Sequence, residues 1–167
     1  RELGLTEVIK LASNENPLGP SPKALQAMHA ALETANIYPD GACTELAQKL
    51  GAKLNVDPSW IVFANGEDNI ITLISKTFLN EGEEMIMADP SFSSFEISAR
   101  AVGAKVVMVP VRPDFTTDLG ALAAAITDRT KLIFLCNPNN PTGTISTRKE
   151  VEAFLDKVPE HTILVLD

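Results

Sequence analysis

Apolar residues recur in two different patterns along the chain, and the change falls near residue 60. Before it, the spacing of apolar residues predicts one helix that opens at Ser21 and Pro22 and a second helix over residues 45–54. Ser21 can cap the first helix, and Pro22 suits its first position. Residues 13–20 are dense in turn formers and are predicted to be irregular.

From residue 60 onward, short apolar runs alternate with amphipathic segments. The predicted strands are 60–63, 84–88, 105–109, 131–135 and 163–166, and the predicted helices are 68–79, 92–102, 119–126 and 148–158. This alternation is typical of an α/β domain with a mostly parallel sheet. Because helices cover both faces of such a sheet, its strands can be apolar throughout, as these runs are. We therefore predict a three-layer α/β/α fold.

Composition narrows the function classes. The chain has 167 residues, 45% of them hydrophobic and 22% charged, which excludes disordered and fibrous proteins. The formal net charge of -8 at pH 7 repels phosphate backbones, so we expect no nucleic-acid partner. No apolar run approaches the roughly 20 residues of a membrane helix, so we expect no membrane partner.

The residue types that most often bind metals are scattered. Cys43, Cys136, His29 and His161 each stand without a second Cys or His at ligand spacing. We therefore expect all four to be structural and predict no metal site. Two cysteines are too few for a disulfide scaffold, which favours a reducing, cytoplasmic setting.

Both ends of the sequence indicate part of a longer protein. The chain begins at Arg1 rather than at a methionine, and it ends directly after residues 163–166, an apolar run expected to form a buried strand. Domains rarely end on a central strand that nothing covers. We therefore expect further chain beyond Asp167.

Candidate ligand sites lie in the loops after the strands, because ligands of open α/β sheets bind beyond the carboxyl ends of the strands. In residues 64–69, Gly66 and a helix start could hold a phosphate on free N–H groups, although an ordinary strand-to-helix turn is the simpler interpretation. Phe92 and Phe95 stand at the next helix start, where either could face a planar ligand or fill the core.

Two further features follow strands. Residues 136–143 form a stiff polar loop with three asparagines, whose amides can bind a ligand oxygen, although turns of this composition also occur without a ligand. Asp167 follows an apolar strand, where a carboxylate is costly unless it is paired. The alternative for Asp167 is the N-cap of a following helix.

Taken together, these strings resemble the class I/II, fold-type-I aminotransferases that depend on pyridoxal 5'-phosphate. The strings are ASNENPLGPSP (12–22), YPDG (38–41), ANGEDNI (64–70), ADPSFSSF (88–95), CNPNNPTG (136–143) and LVLD (164–167). The N-terminal string, with YPDG downstream, resembles the histidinol-phosphate branch. The resemblance implies an N-terminal arm and first helix over residues 1–40 and part of the large cofactor-binding domain over residues 41–167.

The resemblance also implies roles for individual residues. Asn140 would hydrogen-bond the phenolic oxygen of the cofactor ring, and Asp167 would keep the pyridine nitrogen protonated. Glu67 and Asp68 would hold the cofactor phosphate through their backbone N–H groups. Phe92 would stack on the ring.

Other implied contacts involve the N-terminal part of the chain. Tyr38 would reach across a homodimer interface to the phosphate in the neighbouring site, and the arm with Asn14 and Asn16 would lie near the substrate. Many relatives have tyrosine where this chain has Leu18, and tyrosine or tryptophan where it has Phe92. Hydroxyl contacts from those two positions are therefore absent.

The family binds its cofactor covalently through a lysine well downstream of the aspartate. All lysines of this chain precede Asp167, and none stands in that lysine's sequence context. They are Lys10, Lys23, Lys49, Lys53, Lys76, Lys105, Lys131, Lys149 and Lys157. We expect them to be surface charges, and we expect the catalytic lysine, the substrate-binding arginines and the small domain to lie in a C-terminal half that this sequence lacks.

The activity that the resemblance implies for the intact protein is transamination between histidinol phosphate and 2-oxoglutarate, in histidine biosynthesis. Two alternatives keep the chemistry or part of it: an aromatic or broad-range aminotransferase, and a related amino-acid-phosphate decarboxylase. A third is a truncated module that binds without turnover. Residues 1–167 alone are expected to be inactive, because the catalytic lysine is not among them.

Overall fold

A computed structural model describes Gly4, residues 7–9 and residues 13–167. Lys10 and Ala12, which belong to the lysine set and to the first motif, lie outside the described residues. Contacts divide the chain into two compact units, residues 1–61 and residues 62–167. No helix in the described part is both long enough and apolar enough to cross a membrane.

The first unit contains both helices predicted before residue 60. Its elements are α1 (Pro22–Ala31), a 3-10 turn (Leu32–Thr34), α2 (Thr44–Leu54) and a second 3-10 turn (Pro58–Trp60). The predicted cap of α1 is confirmed, because the Ser21 hydroxyl accepts a hydrogen bond from the Ala24 N–H at 3.1 Å. The Asp40 carboxylate accepts from the Thr44 N–H at 2.8 Å where α2 begins.

The second unit is a parallel sheet with helices between its strands. Its strands are β1 (Glu84–Asp89), β2 (Lys105–Pro110), β3 (Thr130–Leu135) and β4 (Ile163–Leu166), and its helices are α3 (Glu67–Phe78), α4 (Ser93–Ala101), α5 (Leu119–Ala124) and α6 (Arg148–Leu155). The strand order is β2-β1-β3-β4, and every pairing is parallel.

Alternate side chains of the central strands enter two separate cores. Met85 and Phe134 lie in a core with Phe95 of α4, and the neighbouring Ile86 and Ile133 lie in the other core. The helices sort in the same way, α3 and α4 with the first core and α5 and α6 with the second. The predicted α/β class and its three layers are confirmed, and burial on both faces explains the uninterrupted apolar runs.

One prediction about strands is wrong. Residues 60–63 form no strand: a 3-10 turn ends at Trp60, Val62 is 72% exposed, and no strand of the described chain pairs with them. The strand predicted over 163–166 is confirmed; it lies at the edge of the described sheet, with Leu166 56% exposed. An apolar run favours a strand locally, whereas its burial depends on neighbours that the run does not encode.

At the amino edge of the sheet, ion pairs and a hydrogen bond satisfy a buried carboxylate. The buried Glu84 carboxylate accepts from Lys105 at 3.0 Å, from Arg129 at 2.9 Å and from the Thr127 hydroxyl at 2.6 Å. The Thr127 hydrogen bond, followed by Lys105, lowers the pKa of Glu84. Charge at this edge is therefore satisfied within the fold.

The carboxyl edge has a different character. Along the chain, β1 leads to β2 on one side, whereas β3, formed later, pairs on the other side of β1. The strand order thus reverses between β1 and β3, the position where ligands of open α/β sheets bind.

Candidate active site at the carboxyl edge of the sheet

The loops that follow β1 and β3 are joined by one buried side chain. Asn139 donates from its amide nitrogen to the Pro90 carbonyl at 3.0 Å, and its amide oxygen accepts from the Ser91 hydroxyl at 2.8 Å. Asn139 is 2% exposed. The two loops therefore form one polar floor at the point where the strand order reverses.

Only one of the three asparagines in the loop after β3 has a free amide. Asn137 uses both ends of its amide on the backbone of Ser146, at 2.8 and 3.0 Å, and Asn139 spans the two loops as described. The Asn140 side chain is half-buried and makes no hydrogen bond within the described chain. Among these amides, that of Asn140 is the one available to a ligand.

Asp167 is held beside this loop by an extension of the β3–β4 ladder. Its N–H donates to the Leu135 carbonyl at 3.0 Å, and its carbonyl accepts from the Asn137 N–H at 2.7 Å. The carboxylate accepts at Oδ2 from the Cys136 thiol, with Sγ and Oδ2 3.2 Å apart. Burial and the nearby carboxylates of Asp167 and Glu67 raise the pKa of the Cys136 thiol to about 11, so it stays protonated at neutral pH.

The side chain of Glu67 turns toward Asp167. Much of Glu67 is exposed, but its carboxyl group is partly withdrawn from water. This desolvation, the charge of Asp167 and a hydrogen bond with Asp167, and then the charge of Asp68, raise the pKa of Glu67. Two carboxyl groups thus meet at this edge, and no ion pair with a described cation involves either of them.

The first turn of α3 provides an open anion cradle. Gly66, the N-cap residue, has φ 81° and no side chain to cap the helix, and an added Cβ there would meet no atom within 4 Å. The N–H groups of Glu67 and Asp68 make no backbone hydrogen bond in the described chain. Unpaired N–H groups at the positive end of a helix dipole favour an anion such as phosphate.

The start of α3 is tied to the start of α4. Asp68 Oδ1 accepts a hydrogen bond from the Ser94 hydroxyl at 2.5 Å. One oxygen of the Asp68 side chain is therefore occupied within the fold, while its N–H makes no backbone hydrogen bond in the described chain.

The two aromatic residues at the start of α4 have different surroundings. Phe95 is fully buried and stacks on Phe134, with ring centroids 4.4 Å apart. Phe92 is half-buried and meets Phe95 edge-on at 5.6 Å, at the margin of the core that contains Cys136. Phe95 is thus a core residue, and Phe92 is the aromatic residue that still has a face for a planar ligand.

Five of the six predicted site residues belong to the second unit, at the carboxyl edge of its sheet: Glu67, Asp68, Phe92, Asn140 and Asp167. The sixth, Tyr38, belongs to the first unit, where its side chain is 99% exposed. In the same unit, Asn16 accepts from the Leu18 N–H at 3.0 Å, so this part of the arm is folded as a local turn.

Sequence reasoning missed three residues that hold the site together. Cys136 was expected to be structural only, and neither Asn139 nor Ser91 was distinguished from its polar neighbours. A signal existed for Cys136, since it stands between the last residue of β3 and the asparagine loop. Nothing local indicates which asparagine is buried, because that depends on the loop after β1.

Two further sets of residues bear on the chemistry of the site: the lysines and the possible metal ligands. Seven of the eight described lysines are exposed and Lys131 is half-buried, as expected for surface charges. No group of three or more His, Cys, Asp or Glu side chains in the described residues could hold a metal ion. The donor set is instead a carboxylate, a free amide, an aromatic face and helix N–H groups, which suits a flat phosphorylated heterocycle.

Comparison with known proteins points to one family. The family model for aminotransferase class I and II matches residues 6–167. The chain is 50% identical to histidinol-phosphate aminotransferase of Moorella thermoacetica over 167 residues, which is 100% of this chain and 43% of that protein. It is 49% identical to the protein of the same name from Brevibacillus brevis, again over 100% of this chain and 46% of that protein.

Solved structures show the same similarity. Histidinol-phosphate aminotransferase from Sinorhizobium meliloti, in complex with pyridoxal-5'-phosphate, has a TM-score of 0.88 and 31% identity, covering 93% of this chain and 42% of that one. N-Succinyldiaminopimelate aminotransferase from Mycobacterium tuberculosis has a TM-score of 0.81 and 26% identity, covering 94% of this chain and 44% of that one. The chain spans less than half the length of these relatives.

Proposed function

The chain belongs to the class I and II aminotransferase family, and we propose that the intact protein transfers an amino group between histidinol phosphate and 2-oxoglutarate with pyridoxal 5'-phosphate as cofactor. The observation that carries the proposal is identity of 50% and 49% over the whole chain with two proteins named histidinol-phosphate aminotransferase. The site supports it independently, because its groups match the groups of this cofactor.

Each part of the cofactor has a partner among the described residues. The Asp167 carboxylate suits a protonated ring nitrogen, and the free amide of Asn140 suits the ring oxygen. The open first turn of α3, at Glu67 and Asp68, suits the phosphate. The exposed face of Phe92 suits the flat ring.

The roles of the residues follow from their charges. The bound cofactor supplies an electron sink for the electron pair released at the substrate carbon. Asp167 holds a proton on the ring nitrogen, since a nearby negative charge favours the protonated base. Asn140 would orient the ring by a directional hydrogen bond to its oxygen, and the N–H groups of α3 would compensate the charge of the phosphate. Proton transfer at the substrate is assigned to a lysine outside residues 1–167, as in the family.

The test of this function is steady-state kinetics of the full-length protein with histidinol phosphate and with phenylalanine as amino donors. We expect the larger kcat/KM with histidinol phosphate. Asp167→Asn should lower kcat roughly 100-fold, a loss typical of removing one preorganised electrostatic contact. Asp156→Asn, an exposed aspartate at the end of α6, is the control. A clear preference for phenylalanine would move the protein to the aromatic aminotransferases.

We also propose that the intact protein is a cytoplasmic homodimer in which Tyr38 contacts the cofactor phosphate of the neighbouring subunit. The nearly complete exposure of Tyr38 supports this, since it leaves the side chain available to a partner surface. Tyr38→Ala should weaken cofactor affinity about tenfold, the effect of one lost hydrogen bond to a charged group, and leave the melting temperature unchanged. Equal cofactor affinity of variant and wild type would remove Tyr38 from the site.

A further inference from the structure

We propose that Cys136 is a positioning residue, whose thiol fixes the orientation of the Asp167 carboxylate relative to the loop that carries Asn140. This inference rests on the proposed function, in which Asp167 contacts the ring nitrogen of the cofactor. It adds a residue that touches neither cofactor nor substrate but orients one that touches the cofactor.

The backbone of Asp167 is fixed, and the side chain is what remains to be oriented. Hydrogen bonds to Leu135 and from Asn137 continue the parallel ladder through Asp167. No ion pair with a described lysine, arginine or histidine holds the carboxylate. Its other close neighbour, Glu67, is a second carboxyl group, which repels it once both are ionised.

The thiol of Cys136 supplies the missing restraint. Its sulfur lies 3.2 Å from Asp167 Oδ2 and 3.4 Å from the Pro138 carbonyl oxygen. The single S–H proton favours Asp167, because the charged acceptor is both closer and stronger. The thiol of Cys136, a residue that is 6% exposed, thus ties the Asp167 side chain to the start of the loop that carries Asn140.

The thiol remains a donor under working conditions. Burial and two adjacent carboxylates raise the pKa of the Cys136 thiol to about 11, so the thiol keeps its proton at neutral pH. A hydroxyl can also donate a hydrogen bond to Asp167, whereas a methyl group cannot. Serine and valine at this position therefore separate the hydrogen bond from packing.

The experiment uses the full-length protein with Cys136→Ser, Cys136→Val and, as a control, Cys43→Ser in the first unit. Pyridoxal 5'-phosphate affinity is measured by absorbance titration, together with kcat and KM for the amino donor. Cys136→Ser should stay within about twofold of wild type, and Cys136→Val should bind the cofactor about tenfold more weakly, the effect of one lost hydrogen bond. In Cys136→Val, kcat should fall while KM for the donor stays unchanged, and Cys43→Ser should behave as wild type.

Two outcomes overturn the inference: cofactor affinity of Cys136→Val equal to wild type, or Cys136→Ser as weak as Cys136→Val. If the valine variant does not fold, a second measurement still tests the contact between Cys136 and Asp167. In full-length protein without cofactor, with every cysteine except Cys136 replaced by serine, thiolate absorbance should rise near pH 11, and adding Asp167→Asn should lower that midpoint. An unchanged midpoint would disprove the contact. A wild type that binds no pyridoxal 5'-phosphate would instead overturn the proposed function, and the thiol titration would still test Cys136.

Discussion

Two carboxyl groups, those of Glu67 and Asp167, share the carboxyl edge of the sheet, and no described cation forms an ion pair with either. Desolvation and the charge of Asp167 raise the pKa of Glu67 above its ordinary value of 4.5. The site is therefore electrostatically incomplete as it stands. A protonated ring nitrogen beside Asp167 would relieve the repulsion, which is the residue-scale argument for a cationic ligand group at this place.

This pair predicts a pH dependence of stability. A raised folded-state pKa means that Glu67 stabilises the fold only while it is protonated, fully below pH 4.5, and that this contribution is lost as pH rises through the folded pKa. Glu67→Gln should therefore raise the stability of the cofactor-free, full-length protein at pH 7–8 by up to about 1 kcal/mol, a value limited by solvent screening, and change it little at pH 4.

Thermal unfolding followed by circular dichroism from pH 4 to pH 8 measures this difference. Glu160→Gln, at an exposed position before β4, is the matched control and should change nothing across the range. If the wild-type and Glu67→Gln curves run parallel over the whole range, the two carboxyl groups do not interact in the folded protein.

At the scale of elements, the loops after β1 and β3 work as one structure because Asn139 joins them. Its neighbour Asn140 shares the loop and the residue type but makes no side-chain hydrogen bond in the described chain. Adjacent asparagines therefore divide two tasks: Asn139 builds the site, and Asn140 is free to contact what binds there.

The two residues should respond oppositely to the same substitution. Asn139→Ala removes the hydrogen bonds of a buried amide to the Pro90 carbonyl and from the Ser91 hydroxyl, and it should cost about 2 kcal/mol of folding stability. Asn140→Ala should change stability by less than about 0.5 kcal/mol and instead weaken cofactor binding. Chemical denaturation and cofactor titration of the full-length variants measure both effects. Equal loss of stability in the two variants would contradict this division of tasks.

At the scale of the whole molecule, each of the two units exposes large apolar side chains to solvent. Leu25, Met28 and Leu32 form a helical stripe in the first unit that is 41–68% exposed, and no residue of α1 is buried. In the second unit, the edge strand β4 leaves Leu166 56% exposed. Such surfaces normally meet a partner surface or further chain.

Residues 1–167 expressed alone should therefore self-associate and show no transamination. Light scattering coupled to size exclusion would detect the association, and an assay with histidinol phosphate and 2-oxoglutarate would detect activity. A monodisperse monomer would mean that these apolar surfaces are tolerated in water. Measurable turnover would show that one of the nine lysines replaces the family's lysine.

Much of this protein is determined by its sequence, because the signals are local. The Ser21 cap, the alternation of strands and helices after residue 84 and the polar strings at the strand ends each lie within a few neighbouring residues, and the first two are confirmed. The tertiary structure decided what depends on distant partners: that residues 60–63 form no strand, that Asn139 rather than Asn140 is buried, and that Glu67 and Cys136 both turn toward Asp167. Side-chain direction at a strand end is set by the neighbouring loops, so no local pattern contains it.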